Sequence, residues 1–253
     1  MLSSEIRRRR EDQDILLMTH IVVGYPSFDD SFRVVEQMVD AGVDLMELQV
    51  PFSEPIADGP VILHANQRSL MGGSTVDRCL EFAEAVSERF DIPFVLMTYY
   101  NILFKFGVAD FARRMSEVGL AGAIVPDLPP EEAGDYLEAM RANDLSPVFI
   151  FSPNTTDDRM RLIADQADGF VYCVARKGVT GSETSFSGAF ADYLGRCRAA
   201  TELPLALGFG VRNRDDIDFL RGQVDIAVIG TETLRVIDED GVEAVGDFIG
   251  GLR

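Results

Sequence analysis

Apolar runs and amphipathic segments alternate along the whole chain. Short, nearly continuous apolar runs, each followed by a polar loop, predict strands at residues 16–23, 44–50, 93–98, 121–125, 146–151, 169–174, 204–207 and 225–229. Between them, the helical spacing of apolar residues predicts helices that include 29–41, 108–118, 130–143, 157–166, 186–200 and 214–221. Apolar strands that alternate with helices are typical of a parallel sheet with helices covering its outside.

Eight such units predict a closed (β/α)8 TIM barrel, an α/β fold that typically runs to about 250 residues. We therefore expect residues 1–253 to form a single domain. A doubly wound open sheet is the alternative, although no GxGxxG motif follows the first predicted strand. Because such barrels carry their active sites at the carboxyl ends of the strands, functional residues are expected in the loops that follow each strand.

The residues before the first strand predict one additional helix. Ser3 or Ser4 is expected to cap it, and the arginines at 7–10 make it highly charged. Because the whole chain has a formal net charge of −19, we favour a solvated helix over a polyanion site. The apolar stems of its side chains are expected to close the bottom of the barrel. Ser27 is expected to cap the next helix, and Gly42 to end it.

Charge and cysteine content narrow the class of protein. The chain has 23 basic and 42 acidic residues and a formal net charge of −19, which argues against nucleic-acid or anionic-membrane partners. Its three cysteines, Cys79, Cys173 and Cys197, form no CxxC pair, so neither a disulfide framework nor a zinc ribbon is expected. With no apolar signal core and no apolar run near the roughly 18 residues of a membrane span, a cytoplasmic protein is expected.

Two carboxylates at the end of the second predicted strand are the main candidates for chemistry. Glu47 is a lone carboxylate in an apolar strand, where burial is costly and raises a pKa toward neutral. Asp58 follows in a loop whose shape is restricted by Pro51, Pro55, Gly59 and Pro60. One interpretation is acid/base catalysis. The other is a hydrogen-bonded structural glutamate and a turn-forming aspartate.

The loops after the last three strands favour a phosphate site. Residues 175–182 are polar and glycine-rich and are expected to form a mobile lid. Gly208 and Gly210 follow the seventh strand, and Gly230 and Thr231 follow the eighth. Glycines allow backbone N–H groups to approach an anion, and a helix that begins there adds its dipole.

The remaining residue types exclude several reaction classes. The only lysines, Lys105 and Lys177, lie in predicted loops or loop edges, so Schiff-base chemistry is not expected. The only histidines, His20 and His64, lack ligand spacing, and we interpret His64 as a surface or packing residue. No GxSxG motif is present. We therefore expect acid/base chemistry on a small phosphorylated substrate, with no metal or cofactor in this chain.

Residues 47–60, ELQVPFSEPIADGP, closely resemble the signature of the tryptophan synthase α subunit family. Residues 96–101, 124–129, 178–181 and 208–210 follow in the family's order, so the resemblance covers nearly the whole chain. It implies a lyase that cleaves indole-3-glycerol phosphate to indole and glyceraldehyde 3-phosphate. It also implies docking, in an α2β2-type complex, on a β subunit that carries pyridoxal phosphate.

The resemblance also implies residue roles. Glu47 would be the acid/base, Asp58 would accept a hydrogen bond from the indole N–H, and Thr180 would position Asp58 when the lid closes. The loops at 51–60 and 126–131 would face the β subunit. The residues expected to line the pocket or hold phosphate are Tyr172, Gly181, Phe209, Gly210 and Thr231.

Several positions depart from the family's pattern. Gln49 replaces a residue that is usually glycine, and by strand alternation it points to the same side as Glu47, where its amide could crowd the indole or hydrogen-bond the catalytic carboxylate. His20 stands where an aromatic hydrophobe is common; with Gln49 and Tyr99 it is a candidate modifier of the pocket. The other departures are Tyr25 and Glu54, and also Thr231 in place of serine with Glu232 after it.

These departures leave three hypotheses open. The first is an active lyase of the family. The second is a catalytically weak α-like subunit that acts as an allosteric activator of a β subunit, which is motivated by Gln49, His20 and the charge of Glu232 near the proposed phosphate. The third is another phosphate-binding barrel enzyme with an altered substrate, because folds do not fix substrates.

Overall fold

The chain folds into a closed barrel of parallel strands. The structure, a computed structural model, describes residues 2–174, 188–208 and 210–253. In the order in which they pair around the barrel, the strands are β1 (Leu16–Val22), β2 (Leu45–Gln49), β3 (Phe94–Met97), β4 (Gly122–Ile124), β5 (Ser146–Phe151), β6 (Val171–Val174), β7 (Leu205–Gly208) and β8 (Ile226–Ile229). β8 pairs with β1 and closes the barrel. The predicted TIM barrel is confirmed, and the open-sheet alternative is wrong.

Helices cover the outside of the barrel. Those described are α1 (Leu2–Arg10), α2 (Phe28–Asp40), α3 (Pro60–Met71), α4 (Val76–Arg89), α5 (Tyr100–Phe106), α6 (Val108–Glu117), α7 (Gly134–Ala142), α8 (Asp157–Ala164), α9 (Gly188–Ala200), α10 (Arg214–Leu220), α11 (Thr231–Glu239) and α12 (Val245–Gly250). Two short 3₁₀ helices span Pro130–Glu132 and Val242–Ala244. None of the helices described is long and apolar enough to cross a membrane.

Local sequence signals set the ends of several helices. The Ser27 hydroxyl accepts a hydrogen bond from the Asp30 N–H at 3.1 Å and caps α2, and Gly42, with φ 91°, follows the end of that helix. Both predictions are confirmed. The single helix predicted at 130–143 was wrong, because the backbone at Ala133 (φ −92°, ψ 10°) leaves helical geometry and separates the 3₁₀ turn from α7.

The N-terminal helix closes one end of the barrel. It begins at Leu2, so Ser3 and Ser4 lie inside it, and the prediction that one of them caps it was wrong. Leu2 and Ile6 are buried in the core inside the barrel, and they rather than the arginine stems form the apolar plug. The arginines at 7–10 instead bind carboxylates and carbonyl oxygens near the surface.

Strand alternation divides the core into two layers and leaves one end of the interior polar. Outward-facing residues pack against the helices, and inward-facing ones fill the barrel. Toward the amino ends of the strands the interior is apolar, with Leu16, Met18, Leu45, Val95, Phe170 and Ile226. Toward the carboxyl ends it carries His20, Glu47, Gln49, Tyr99 and Tyr172. The candidate site therefore lies at the carboxyl mouth of a barrel whose other end is closed.

Candidate active site

Glu47 is a buried carboxyl group on the inner face of β2. It lies beside His20 of β1 and Val95 of β3 in the barrel register and is only 5% exposed. Its Oε2 atom has no hydrogen-bond partner within the described residues. Burial, reinforced by the charge of Asp58, raises the pKa of Glu47 to about 8. The group is therefore protonated at neutral pH and able to donate a proton.

Asp58 is the second carboxyl group at the barrel mouth, and two side chains of the described residues hydrogen-bond to it. Its Oδ2 atom accepts hydrogen bonds from the Gln49 amide at 2.7 Å and from the Tyr99 hydroxyl at 3.2 Å. Burial raises the pKa of Asp58 to about 6, and these two hydrogen bonds oppose the increase. Asp58 is therefore mostly ionised at neutral pH, whereas Glu47 is mostly protonated.

The loop that carries Asp58 is fixed at both ends. At its start, the Phe52 N–H donates to the Oδ1 of the buried Asn66 of α3 at 2.7 Å. Near its end, the Ala57 N–H donates to the Tyr99 hydroxyl at 3.1 Å, and the Phe52 and Tyr99 rings stack with their centroids 5.1 Å apart. The loop therefore presents Asp58 from a defined position next to β3.

Gln49 and His20 extend the hydrogen bonding at Asp58 across the barrel mouth. The Oε1 atom of Gln49 lies 2.7 Å from Nε2 of His20, while its Nε2 atom faces Asp58. Burial lowers the pKa of His20 to about 4, so the ring is neutral. The sequence led us to expect either contact with the indole or a bond to the catalytic carboxylate Glu47; the amide instead binds the other carboxylate, Asp58.

Tyr172 lies on the opposite wall of the barrel mouth, on β6. Burial, with the charges of Glu47 and Asp58, raises the pKa of its hydroxyl well above the ordinary value. A Cβ atom on Gly208 would lie 2.8 Å from the Tyr172 ring, so glycine at this position makes room for the tyrosine. Tyr172 is thus placed among the predicted catalytic residues.

The predicted phosphate-binding residues are only partly within the described structure. Gly210 has φ 78°, a backbone conformation that favours glycine, and α11 begins at Thr231 as expected. Gly230 supplies no side-chain cap to this helix, so its first N–H groups are not covered by a capping side chain. Thr180, Gly181 and Phe209 lie outside the described residues.

Similarity to known proteins decides between the barrel enzymes that such a site permits. The sequence model of the family described as "Tryptophan synthase alpha chain" matches residues 6–246. The chain belongs to this family. A tryptophan synthase alpha chain from Syntrophotalea carbinolica is 62% identical over 253 residues, covering all of both chains. The predicted family, and with it the prediction of a lyase of this type, is confirmed.

Solved structures of tryptophan synthases have the same fold. A chain of the Mycobacterium tuberculosis enzyme superposes with a TM-score of 0.93 at 31% identity, covering 99% of this chain and 96% of that one. A chain of a tryptophan synthase complex from Pyrococcus furiosus superposes with a TM-score of 0.85 at 28% identity, covering 94% and 97%. The barrel described above is therefore that of the tryptophan synthase alpha family.

Two departures from the family pattern, and the residue His64, make their contacts away from the two carboxylates. Tyr25 donates from its hydroxyl to Asp238 of α11 and is a packing residue. The Glu232 carboxylate pairs with Arg235 at 2.9 Å, so its charge is partly compensated next to the proposed phosphate site. His64 is exposed and meets the Tyr25 ring edge-on, in line with the surface or packing interpretation.

The sequence pattern does not indicate one residue of this site and one contact within it. Asn66 anchors the loop that carries Asp58; its only signal in the sequence is a polar side chain on the buried face of a helix. The sequence marks His20 and Gln49 as departures from the family pattern but does not indicate that their side chains are in contact. Within the described residues, no group of three His, Cys, Asp or Glu side chains could hold a metal ion.

Proposed function

We propose that this chain cleaves indole-3-glycerol phosphate to indole and glyceraldehyde 3-phosphate, with Glu47 as the acid/base and Asp58 as the partner of the indole nitrogen. The observation that carries the proposal is the pair of buried carboxyls with opposite protonation at neutral pH. Two titratable groups whose environments separate their pKa values are the usual basis for assigning an acid and an anion in one site.

Glu47 performs two proton transfers in the proposed reaction. It first donates its proton to C3 of the indole ring, which gives the indolenine cation and leaves Glu47 ionised. It then removes the proton of the side-chain hydroxyl on the carbon bonded to C3. The C–C bond breaks, its electron pair returns to the ring to form indole, and the aldehyde of glyceraldehyde 3-phosphate forms. Glu47 ends protonated, so one carboxyl group completes the cycle.

Asp58 stabilises the positive charge that develops between these two steps. Its carboxylate accepts a hydrogen bond from the ring N–H, and this bond strengthens as the indolenine cation forms. Because Gln49 and Tyr99 both donate to Oδ2, neither of them competes for Oδ1. An ionised Asp58 beside a protonated Glu47 is the arrangement that the reaction requires.

The rest of the site would hold the substrate in place. Tyr172 and Phe209 would line the indole pocket, and Thr180 would fix Asp58 when the lid closes over the substrate. The N-terminus of α11 at Thr231, together with Gly181 and Gly210, would bind the phosphate, since helix N-termini favour anions. The pairing of Glu232 with Arg235 supports this assignment.

The proposal includes a β subunit as partner. The solved relatives include a structure named as a tryptophan synthase complex, and by this likeness the chain would dock on a β subunit in an α2β2-type assembly. Pyridoxal phosphate would belong to that partner, and this chain would use no cofactor. The loops at 51–60 and 126–131 lie at the carboxyl end of the barrel, where such a partner would receive the indole.

The decisive experiment measures indole release from indole-3-glycerol phosphate by the purified chain and by Glu47→Gln, each with and without a cognate β subunit. We expect cleavage by the unchanged chain that rises with the partner. We expect Glu47→Gln to lose at least about 100-fold, because the amide cannot exchange a proton with the substrate. Circular dichroism should be the same for both proteins.

The activator hypothesis is the alternative in which the bond between Gln49 and Asp58, by occupying one carboxylate oxygen, keeps Asp58 from the substrate. It predicts that the chain cleaves no indole-3-glycerol phosphate alone or with the partner, yet accelerates the β reaction. Ordinary cleavage by the isolated chain would exclude it. An enzyme with an altered substrate would instead be indicated if analogues of indole-3-glycerol phosphate do not bind.

A further inference from the structure

Two positions that depart from the family pattern are in direct contact. His20 and Gln49 lie on neighbouring strands, β1 and β2, and both are buried on the inner face of the barrel. Their side chains are 2.7 Å apart, and the far end of Gln49 is 2.7 Å from the Asp58 carboxylate. Hydrogen bonds thus connect β1 to the Asp58 loop through one amide.

The charge of Asp58 sets the direction of these hydrogen bonds. A carboxylate accepts only, so the Gln49 atom that faces it must be the NH2 group, and the amide oxygen must face His20. That oxygen also accepts only, so the neutral His20 ring must carry its proton on Nε2. The order is therefore His20 to Gln49 to Asp58, with each group donating to the next.

We propose that His20 and Gln49 form a positioning relay that holds the Asp58 carboxylate ionised and aimed at the indole N–H. The proposal rests on the function proposed above for Asp58. Gln49 donates a hydrogen bond to Oδ2 of Asp58 and so fixes the plane of the carboxylate. The Oδ1 atom is then left to accept the hydrogen bond from the substrate. His20 contacts neither Asp58 nor the substrate in this scheme and acts only through Gln49.

The relay needs both members. A glutamine without a partner for its amide oxygen can rotate about its terminal bond and turn that oxygen toward Asp58, where it repels the carboxylate. The His20 N–H removes this freedom, because the rotated amide would place two N–H donors against each other. Loss of either residue should therefore weaken the same hydrogen bond to Asp58.

Other groups at the barrel mouth act on Asp58 as well and must be kept constant in a test. Tyr99 donates a second, longer hydrogen bond to the same oxygen, so loss of Gln49 leaves this donor from the described part of the chain in place. Among the residues that the structure describes, the titratable groups that face Asp58 and the relay are His20 from β1, Glu47 from β2, Tyr99 just after β3 and Tyr172 from β6.

The test measures the pKa of the Asp58 carboxyl directly, by 13C NMR of protein labelled at aspartate, with Asp58→Asn to assign the signal. In Gln49→Met the pKa of Asp58 should rise by about one unit, because a hydrogen bond to a charged group is lost. His20→Leu should shift it in the same direction by less. His20→Gln, which places an N–H donor at similar reach, should restore the original value.

A matched control and a second variant protect the test from folding effects. Thr98→Val changes a buried hydroxyl at the end of the neighbouring strand that has no partner in the described structure, and it should leave the pKa of Asp58 unchanged. If Gln49→Met does not fold, Gln49→Gly replaces it, since glycine also removes the amide and adds no side chain to the barrel mouth. Thermal unfolding confirms the fold of each variant.

The activity arm separates this proposal from the proposed function. With indole-3-glycerol phosphate as substrate, the acidic limb of the pH profile of kcat/KM should shift to higher pH in Gln49→Met and His20→Leu. In His20→Gln it should lie at the same pH as in the unchanged chain. An unchanged Asp58 pKa in Gln49→Met would overturn the relay even if cleavage is normal. An unchanged value in His20→Leu alone would overturn the role of His20. A shifted pKa without cleavage in the unchanged chain would support the relay and overturn the proposed reaction.

Discussion

At the scale of the residue, the site depends on one carboxyl group that the fold keeps away from water. Glu47 has an ordinary pKa of 4.5 and a folded-state pKa of about 8, and burial is the larger cause. A carboxyl with a raised pKa binds its proton more tightly in the folded protein than in the unfolded chain. Its contribution to stability is therefore complete below about pH 4.5 and is lost as the pH rises through about 8.

This linkage predicts that Glu47→Gln gains stability relative to the unchanged protein as the pH rises. Near pH 5 both proteins bury a neutral group and should unfold alike. Near pH 9 the unchanged protein must either bury the ionised Glu47 carboxylate or expose it to water, whereas the variant carries a neutral amide. The free energy of unfolding of the variant should then exceed that of the unchanged protein by on the order of a few kcal/mol. Urea unfolding at both pH values measures the difference.

Glu54→Gln is the matched control for this stability measurement, because Glu54 is an exposed carboxylate in the same loop. The pH dependence of its stability should follow that of the unchanged protein. If Glu47→Gln differs from the unchanged protein equally at low and high pH, Glu47 does not carry a proton at neutral pH and cannot begin the proposed reaction as an acid.

The two carboxylates could be located from the sequence, but their hydrogen bonds could not. Glu47 stands out because a lone acid in an apolar strand is costly, and Asp58 because it lies in a loop rich in proline. Strand alternation correctly placed Gln49 on the side of Glu47. The hydrogen bond from the Gln49 amide to Asp58 depends on the path of the loop that carries Asp58. Contacts with Asn66 and Tyr99 fix this path, and the sequence pattern does not reveal them.

At the scale of the element, α1 supports the site from a distance by closing the other end of the barrel. Ile6 is fully buried inside the barrel with Leu2, and both pack near the start of the strands. A Cβ atom on Gly169 would lie 2.9 Å from the Leu2 side chain, so α1 packs closely against the segment before β6. The helix therefore belongs to the core.

We predict that Ile6→Ala destabilises the protein by about 2–5 kcal/mol, the usual cost of a buried large-to-small change. At temperatures where the variant is folded, its kcat should be unchanged because Ile6 lies at the closed end of the barrel. Arg8→Ala removes an exposed ion pair with Glu5 from the same helix and should destabilise the protein far less than Ile6→Ala, because water screens exposed ion pairs. Equal losses in the two variants would show that α1 is a surface helix, as the sequence had suggested.

The predicted ends of elements are correct where the hydrophobic pattern alone determines them, and wrong where local backbone geometry determines them. The strand ends agree with the structure within two residues because continuous apolar runs bounded by polar loops leave little choice. The single helix at 130–143 failed at Ala133, which has no distinctive side chain to mark the break. Ser3 resembled a cap but lies within α1, since Leu2 is needed in the core.

At the scale of the whole molecule, exposed apolar side chains mark the carboxyl end of the barrel. Ile56, in the loop that carries Asp58, is 73% exposed, and Phe104 of α5, which follows β3, is 71% exposed. The Tyr100 N–H donates to Asp127 at 2.8 Å and so connects the loops after β3 and β4. On a chain with a net charge of −19, large exposed apolar side chains are typical of an interaction surface. We therefore propose Ile56 and Phe104 as contacts of the proposed β subunit.

We predict that Ile56→Ser and Phe104→Ser each weaken binding of the β subunit by about tenfold, which corresponds to about 1.4 kcal/mol of lost apolar burial. Isothermal titration calorimetry measures the affinity. Cleavage by isolated Phe104→Ser should equal that of the unchanged chain, while its stimulation by a limiting amount of the partner should fall.

Leu162→Ser is the matched control, because Leu162 is 42% exposed in the last turns of α8, which runs back from the carboxyl end of β5. If Leu162→Ser weakens binding as much as the other two, the partner does not dock on the catalytic end of the barrel, and indole released at Glu47 would have to cross solvent to reach it.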